Sequence, residues 1–412
     1  MNYPTSLNKI FTTFKKLQIK PIIVGGYVRD MLLGIKSKDI DIELYGVKSL
    51  EVVETILKEF GEVNSVGKSF GVCKLKIDSL EIDFSLPRED SKVSLGHKGF
   101  KVITDKNLDF KTATSRRDFK MNAIGYDIIE KKILDPFNGQ KDIKEKKISA
   151  IDESKFIEDP LRVLRAVQFA ARFEFKIDEK LFLLCQNMVA KKSLDELPKE
   201  RVYEEIKKLL LKSQKPSQGF ILLKKLNTTL YFPEFEFQLP ALDFMAQKKL
   251  KDKEEKLSLM LTVLSLKFKE KEQLKFLNLL TKSKNSLKKV ESFIQAIKSF
   301  DENNIKDYDI YILATTVKIE SFLYLLDAFF LGKKKILIKS IEQRAKKLGV
   351  LYKKLPALIL GRDLLKLGLT PSPKFSKLLD KTYDAQLHKK FTNKEEAVEW
   401  LKELIKKFNS HK

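Results

Sequence analysis

The residues most able to do chemistry lie near the N-terminus. Gly25 and Gly26 follow a short apolar run, Lys20-Pro-Ile-Ile-Val24, and precede a segment with helical spacing. Two glycines there let backbone N–H groups approach a phosphate closely, and the helix N-terminus adds a favourable partial charge. Arg29, one turn on, is placed to make a charge-assisted contact with the same phosphates. Asp39 and Asp41, two apart on a predicted strand, project from one face. Carboxylates so placed repel each other unless a cation lies between them. Mg²⁺, hard and oxygen-seeking, is the natural occupant when a substrate supplies phosphate oxygens. Asp83, on the neighbouring strand candidate Leu80–Phe84, offers a third carboxylate. Taken singly, a Gly-Gly pair is a turn and an Asp-x-Asp pair is a polar strand face; their conjunction points to a metal-dependent phosphate site.

The elements that must hold these residues follow from periodicity. Lys20–Val24 and Ile40–Leu44 read as strands, with a helix at Tyr27–Leu33 between them. Ser49–Phe60 is amphipathic, and Val72–Ile77 with Leu80–Phe84 forms a strand pair across an Asp78-Ser79 turn. The polar stretch Pro87–Ser115 reads as a long mobile loop, and His97 within it is either a phosphate or RNA contact or an exposed loop side chain. A helix around Asp118–Ala123 and a strand pair near Gly125–Leu134 complete this part. From Asp152 onward apolar residues recur at helical spacing, separated by Lys-rich polar faces and punctuated by prolines. The expected fold class is α+β: a nucleotidyltransferase-type mixed-sheet head followed by an elongated all-helical neck, body and tail. The expected domains are a catalytic head over 1–147, a neck over 148–215, a body over 216–350 and a tail over 351–412.

Composition narrows the partners. The 412 residues carry 80 Lys and Arg against 56 Asp and Glu, a formal charge of +24. Small soluble domains typically carry a magnitude of about 2–8, so a polyanion, nucleic acid ahead of membrane, is the expected partner. No apolar run is long enough to span a membrane, and no signal peptide is evident at the N-terminus. Cys73 and Cys185 sit in apolar settings far apart, which reads as buried thiols in a reducing cytoplasm. With only three histidines, zinc chemistry is nearly excluded, and no haem site is expected.

These motifs resemble those of a known family. Val24-Gly-Gly-Tyr-Val-Arg-Asp-Met-Leu-Leu-Gly34 with Asp39-Ile-Asp41 is similar to the first motif of class II tRNA nucleotidyltransferases, the CCA-adding enzymes and bacterial poly(A) polymerases. Arg116-Arg-Asp-Phe-Lys-Met-Asn-Ala123 resembles their second motif, and Asp135-Pro-Phe-Asn-Gly139 with Asp142 their hinge. Glu158-Asp-Pro-Leu-Arg-Val-Leu-Arg165 resembles the nucleobase-reading motif, and Lys199–Ile206 the helix that stabilises it. A weaker likeness to the C-terminal segment of bacterial CCA-adding enzymes returns from Leu360 to Leu401.

The resemblance implies template-independent addition of C, C and A to tRNA from CTP and ATP. Asp39 and Asp41 would hold two Mg²⁺ ions, with Asp83 as third carboxylate near the primer hydroxyl. Gly25, Gly26 and Arg29 would position the triphosphate, Arg117 would touch phosphate or ribose, and Asp118 would sense the ribose 2′-OH. Asp159 and Arg162, three apart on a predicted helix, would present an acceptor and a donor to the edge of C or A. G and U lack an exocyclic amine at that place and would leave the carboxylate unpaired. An intrahelical Asp–Arg pair is the plain alternative for these two residues. Arg165 would extend the same face.

Departures from the pattern are Gln168 where an Arg is usual, Lys120 for Thr, and Ser372 and Ser376 in place of a Pro-Gly-rich segment. Leu257–Lys269 lacks a His-Asp pair, so phosphohydrolase activity is not expected. The rival readings are a poly(A) polymerase or a CC- or A-only enzyme of the same family. Further away stand a non-catalytic RNA-binding protein and a small-molecule nucleotidyltransferase, which would not need the basic helical body.

Overall fold

The computed structural model describes residues 3–64, 71–77, 80–92, 100–228, 231–232, 238–280 and 283–409. The chain divides at residues 234/235 into two compact units, a boundary inside the stretch 216–350.

The first unit begins with helix α1 (Leu7–Lys16), strand β1 (Lys20–Val24), α2 (Gly26–Leu32), β2 (Ile40–Tyr45), α3 (Leu50–Leu57), β3 (Glu62–Asn64), β4 (Val72–Ile77) and β5 (Leu80–Ser85). Next come β6 (Arg88–Lys92), β7 (Phe100–Thr104), α4 (Phe110–Thr114), β8 (Gly125–Asp127), β9 (Lys132–Leu134), α5 (Gly139–Lys144) and β10 (Lys147–Ile148). The unit continues through α6 (Glu153–Phe156), α7 (Leu161–Phe173), β11 (Lys176–Ile177), α8 (Glu179–Ala190), α9 (Lys199–Lys212) and α10 (Ser217–Lys225). Its sheet has the order β3-β4-β5-β2-β1-β8-β9, with β2 and β5 parallel and the other neighbours antiparallel.

Strand alternation sorts this sheet into two faces. Ile40, Ile42 and Leu44 of β2 join Ile82 and Phe84 of β5, Cys73 and Leu75 of β4 and Ile23 of β1 in one core, closed by Leu7, Ile10, Phe11 and Phe14 of α1. The amphipathic spacing of α1 supplies that stripe. The opposite face of β2 therefore carries Asp41, Glu43 and Tyr45, with Asp39 just before the strand. Ile22, Val24 and Tyr45 on that face pack with Ala113, Leu108, Phe110 and Leu134.

Some local expectations change. Within 87–115, β6 and β7 pair antiparallel, Arg88 opposite Thr104 and Lys92 opposite Phe100, and α4 follows, so this stretch is not one long loop. The β-branched and aromatic content of Phe100–Thr104 favours a strand, a signal outweighed by the polar run beside it. His97, Gly96, Gly99 and the Asp78-Ser79 turn lie outside the described residues. The helix expected at Asp118–Ala123 is only a 3₁₀ turn at Lys120–Asn122. There Asp118 Oδ1 accepts from the Phe119 N–H (2.8 Å) and Asn122 Nδ2 (2.9 Å), a local pattern that competes with a helix. The parallel pair β10–β11 ties the chain after α7 back to the end of the head, fixing α7 beside it.

The second unit is helical: α11 (Leu239–Ala246), α12 (Lys253–Ser265), α13 (Glu270–Leu280), α14 (Lys284–Lys298), α15 (Asp307–Thr316), α16 (Ile319–Phe329), α17 (Lys335–Lys347), α18 (Gly361–Lys366), α19 (Pro373–Leu387) and α20 (Lys394–Asn409). Its C-terminal core gathers Ile359, Leu364, Leu378, Ala385, Phe391, Ala397 and Leu401. No helix among the described residues is long and apolar enough to cross a membrane.

Candidate active site

The polar face of β2 organises the site. Parallel pairing sets Asp41 opposite Asp83 on one face of the sheet, with Asp39 just before β2, so the three expected carboxylates lie close in the register. Neither Asp39 nor Asp41 makes a hydrogen bond or ion pair among the described residues. The Asp41 side chain reaches solvent, yet protein atoms crowd it closely. That desolvation raises its carboxyl above the ordinary range; Arg117 opposes the shift, and the charges of Asp83, Asp39 and Glu43 add to it. Asp83 differs: both its oxygens accept from Lys74 Nζ, at 2.7 and 2.8 Å, across the β4–β5 pair.

Beside these carboxylates, the turn into α2 is built on Gly25, whose φ of 69° suits glycine. The Arg117 guanidinium occupies the space a Cβ at Gly25 would take, so Gly25 is required twice over. Arg117 Nη2 donates to Glu43 Oε1 at 3.2 Å, and Arg116 Nη2 donates to the same oxygen at 3.1 Å. Gly26 stands on the first turn of α2, with the Arg29 guanidinium beneath it.

Arg29 is engaged within the fold. It is buried, donates from Nε to Asp30 Oδ1 (2.8 Å) and from Nη1 to Asn122 Oδ1 (2.6 Å), and packs on the Phe169 and Phe173 rings at 5.0 and 4.9 Å. These contacts fasten the head to α7, and they neither make nor exclude the phosphate contact expected of Arg29. Arg172 Nη2, 3.2 Å from Asp30 Oδ2, completes the fastening.

Asp118 is likewise engaged on both oxygens, Oδ2 taking Arg165 Nε (2.7 Å) and Nη2 (2.6 Å). Burial works to raise its carboxyl, but Arg165, Asn122 and Arg162 together hold it below the ordinary value. Arg165 also faces Glu205 of α9 at 3.8 Å. Glu205 itself binds Lys208 at 2.7 Å.

Asp159 and Arg162 lie together in the same unit but do not pair with each other. Asp159 sits ahead of α7 rather than within it, since that helix starts at Leu161 after Pro160. Its carboxylate takes Arg201 Nη1 at 3.2 Å and Nη2 at 2.9 Å, plus the Leu161 N–H at 3.2 Å. Arg162 instead donates to two backbone carbonyls, Lys155 (2.7 Å) and Arg116 (2.6 Å). The intrahelical Asp–Arg pair is therefore not the arrangement here. Gln168 is buried, and its Nε2 has no hydrogen-bond partner among the described residues.

The donor set fits a hard divalent cation, although no cluster of three or more His, Cys, Asp or Glu among the described residues already meets ligand geometry. Asp39 and Asp41 are unpaired oxygen donors on one face, and neighbouring carboxylates destabilise the Asp41 charge. A cation relieves that repulsion.

Sequence reasoning missed Glu43, Lys74 and Arg201. Glu43 was signalled by the continued alternation Asp39-x-Asp41-x-Glu43, and Lys74 by the cross-strand position opposite Asp83. Arg201 lies within Lys199–Ile206, the segment that resembles the stabilising helix, but its own contact with Asp159 is tertiary and had no local signal.

Residues 22–149 match the family described as the poly A polymerase head domain, 174–239 that of a probable RNA- and SrmB-binding site of polymerase A, and 248–401 a putative tRNA nucleotidyltransferase domain 2. The multifunctional CCA protein of Haemophilus ducreyi is 34% identical over 218 residues, 52% of this chain and 50% of that protein. The multifunctional CCA protein of Nitrosospira multiformis is 37% identical over 206 residues, 50% of this chain and 47% of that one. The chain spans about half the length of the curated relatives it matches. The solved structure of the Bacillus stearothermophilus CCA-adding enzyme in complex with CTP aligns with a TM-score of 0.78, at 21% identity over 100% of both chains. The Thermotoga maritima CCA-adding enzyme complexed with tRNA aligns at 0.64, with 21% identity over 98% of this chain and 96% of that one. These two likenesses establish the fold.

Proposed function

The chain belongs to the class II tRNA nucleotidyltransferase and bacterial poly(A) polymerase family, and from that premise we propose that it adds C, C and A to the 3′ end of tRNA from CTP and ATP without a nucleic-acid template, releasing pyrophosphate. The observation that carries this reading is the unpaired Asp39–Asp41 edge set beside the Gly25 turn and Arg117.

Asp39 and Asp41 are the residues that would hold Mg²⁺, with Asp83 beside them once Lys74 yields an oxygen. When bound, the metal supplies Lewis-acid activation of the RNA 3′-OH and neutralises charge on the triphosphate and departing pyrophosphate. Gly25 and Gly26 leave backbone room for the phosphates, and Arg117 donates to them. Arg165 holds Asp118, and Arg162 holds the Arg116 carbonyl, so 116–118 is fixed in place before a nucleotide arrives.

Base choice falls to Asp159 and Arg162. A carboxylate has about four acceptor directions, and Arg201 with the Leu161 N–H uses three of them. The fourth, on Oδ2, suits the exocyclic amine of C or A. Arg162 has five N–H donors, of which the two carbonyls take one each. The remaining donors reach a ring acceptor on the same base edge. U and G bring no amine to that place and leave the Asp159 direction unpaired, a mismatch worth several kcal/mol at buried polar sites, on the order of 10⁴-fold.

The head (1–147) and neck (148–215) carry this chemistry, and the body (216–350) and tail (351–412) bind tRNA through the excess positive charge. The cytoplasm is the fitting compartment, with Cys73 and Cys185 both free and buried. The test is incorporation of labelled CTP or ATP, with Mg²⁺, into tRNA transcripts ending before CCA, at C or at CC. Expected is CTP use on the first two and ATP use on the third. Long ATP homopolymers on any RNA would instead establish the poly(A) rival.

A further inference from the structure

Glu43 is a buried carboxylate that the reaction above leaves without a role. It is 1% exposed and follows Asp41 on the same face of β2. Its charge makes that of Asp41 harder to hold, so its presence works against the metal-binding edge unless it does something else. Three donors hold it: Tyr45 Oη to Oε2 at 3.0 Å, and Arg116 Nη2 and Arg117 Nη2 to Oε1 at 3.1 and 3.2 Å. With each oxygen tied to a different element, the carboxylate cannot rotate.

The two arginines differ in what they border, since Arg117 is the one whose guanidinium stands at the Gly25 turn. Arg116 has its backbone carbonyl held by Arg162. Arg117 is fastened at Nη2 only; its Nη1 lies against the Gly25 α-carbon, and its buried Nε has no hydrogen-bond partner among the described residues. Arg117 Nη1 stands at the Gly25 turn, in the space that a side chain at residue 25 would fill.

We propose that Glu43 is a positioning residue: it clamps Arg117 by one guanidinium nitrogen so that the remaining N–H groups meet the phosphates of the incoming nucleotide at the Gly25–Gly26 turn. This rests on the nucleotidyltransferase reading. A lysine-like point charge would not need such a clamp, whereas a planar fork must be oriented to donate twice. The role is distinct from that of Asp41: Glu43 spends its charge on arginines, and Asp41 keeps its charge for a cation.

The test compares Glu43→Gln, Arg117→Ala and the double variant in steady-state kinetics with CTP and ATP on transcripts ending before CCA and at CC. Glu43→Gln should raise the KM for both nucleotides by about tenfold, with kcat within threefold and rejection of UTP and GTP unchanged. Arg117→Ala should raise KM at least as much, and the double variant no further, since residues acting through one contact are not additive. A merely structural role would reduce the fraction of active enzyme, and hence kcat, at unchanged KM. Additive KM effects, or an unchanged KM in Glu43→Gln, would overturn the proposal while wild-type CCA synthesis still stood. Loss of CCA synthesis by the wild type would instead remove the reading beneath it. Should Glu43→Gln not accumulate folded, Glu43→Asp serves, its shorter side chain being unable to reach Tyr45, Arg116 and Arg117 together: a KM raised tenfold at near-normal kcat supports the clamp, and an unchanged KM overturns it.

Discussion

Two groups of charge meet in the first unit, and they are built in opposite ways. On the β2 face, Asp39 and Asp41 have no partner among the described residues, and their neighbours push the Asp41 carboxyl upward. Along the seam with α7, the carboxylates of Asp30 and Asp118 are filled by Arg29, Arg172, Arg165 and Asn122, and Asp118 is held low. Unpaired carboxylates cost the fold stability and are kept where a ligand completes them. Filled ones fasten elements together. Residue type alone does not separate the groups, since both are built from Asp within motifs of the same family.

The sharpest break of this comparison is Asp41→Asn. Turnover should fall by about 10³-fold or more, equivalent to about 4 kcal/mol of barrier, while the melting temperature stays level or rises. A lowered melting temperature would move Asp41 into the fastening group.

Next in size is Asp118→Ala, which takes from the partly buried Arg165 its short ion pair and leaves Glu205 at 3.8 Å. Breaking a buried pair costs about 3–5 kcal/mol, readable by denaturant unfolding. The pH dependence carries opposite signs for the two groups. Asp118, depressed in the fold, contributes stability above its unfolded pKa that is lost as pH falls through the folded value. Asp41, raised in the fold, contributes stability below its unfolded pKa that is lost as pH rises through the folded value. From neutral pH downward, the deficit of Asp118→Ala should therefore shrink below about pH 4, and any gain of Asp41→Asn should fade over the carboxylate range. Parallel trends in the two variants would erase the distinction.

Arg162 lies between the groups, parked on carbonyls yet with donors to spare. Arg162→Ala should narrow the CTP-over-UTP preference by about 10–100-fold, at about 1.4 kcal/mol per factor of ten, with tRNA affinity little changed. An unaltered preference in competition assays would assign Arg162 to fastening alone. The smallest effect belongs to Lys74→Ala. The Lys74–Asp83 pair is half exposed, so its loss should cost under about 1 kcal/mol in unfolding. A larger loss would make Asp83 a structural anchor rather than a reserve ligand.

Much of the head was legible in the sequence because strand alternation and the Gly25–Gly26 punctuation are local signals. Ile40–Leu44 and the pairing of Val72–Ile77 with Leu80–Phe84 follow from period two, and Lys20–Val24 from a short apolar run; the strands observed extend to Tyr45 and Ser85. What was hidden depends on tertiary partners. Arg29 sits one turn into α2 where a phosphate contact is plausible, and only the packing of Phe169 and Phe173 and the side chains of Asp30 and Asn122 turn it inward. Asp159 and Arg162 share a spacing that suggests a salt bridge, but Arg201 from α9 takes the carboxylate and carbonyls take the guanidinium. The β6–β7 ribbon was masked by the polar sequence of Arg88–Lys92, since pairing supplied by the partner strand leaves no apolar periodicity of its own.

The most direct test of the central claim is the 3′-end sequence of a tRNA transcript lacking CCA after incubation with the protein, Mg²⁺ and all four nucleoside triphosphates, with Asp41→Asn in parallel. The account predicts ends reading C, C, A and then stopping for the wild type, and unextended ends for a variant that folds as well. Homopolymeric or mixed additions, or CCA ends made by Asp41→Asn at the wild-type rate, would contradict it.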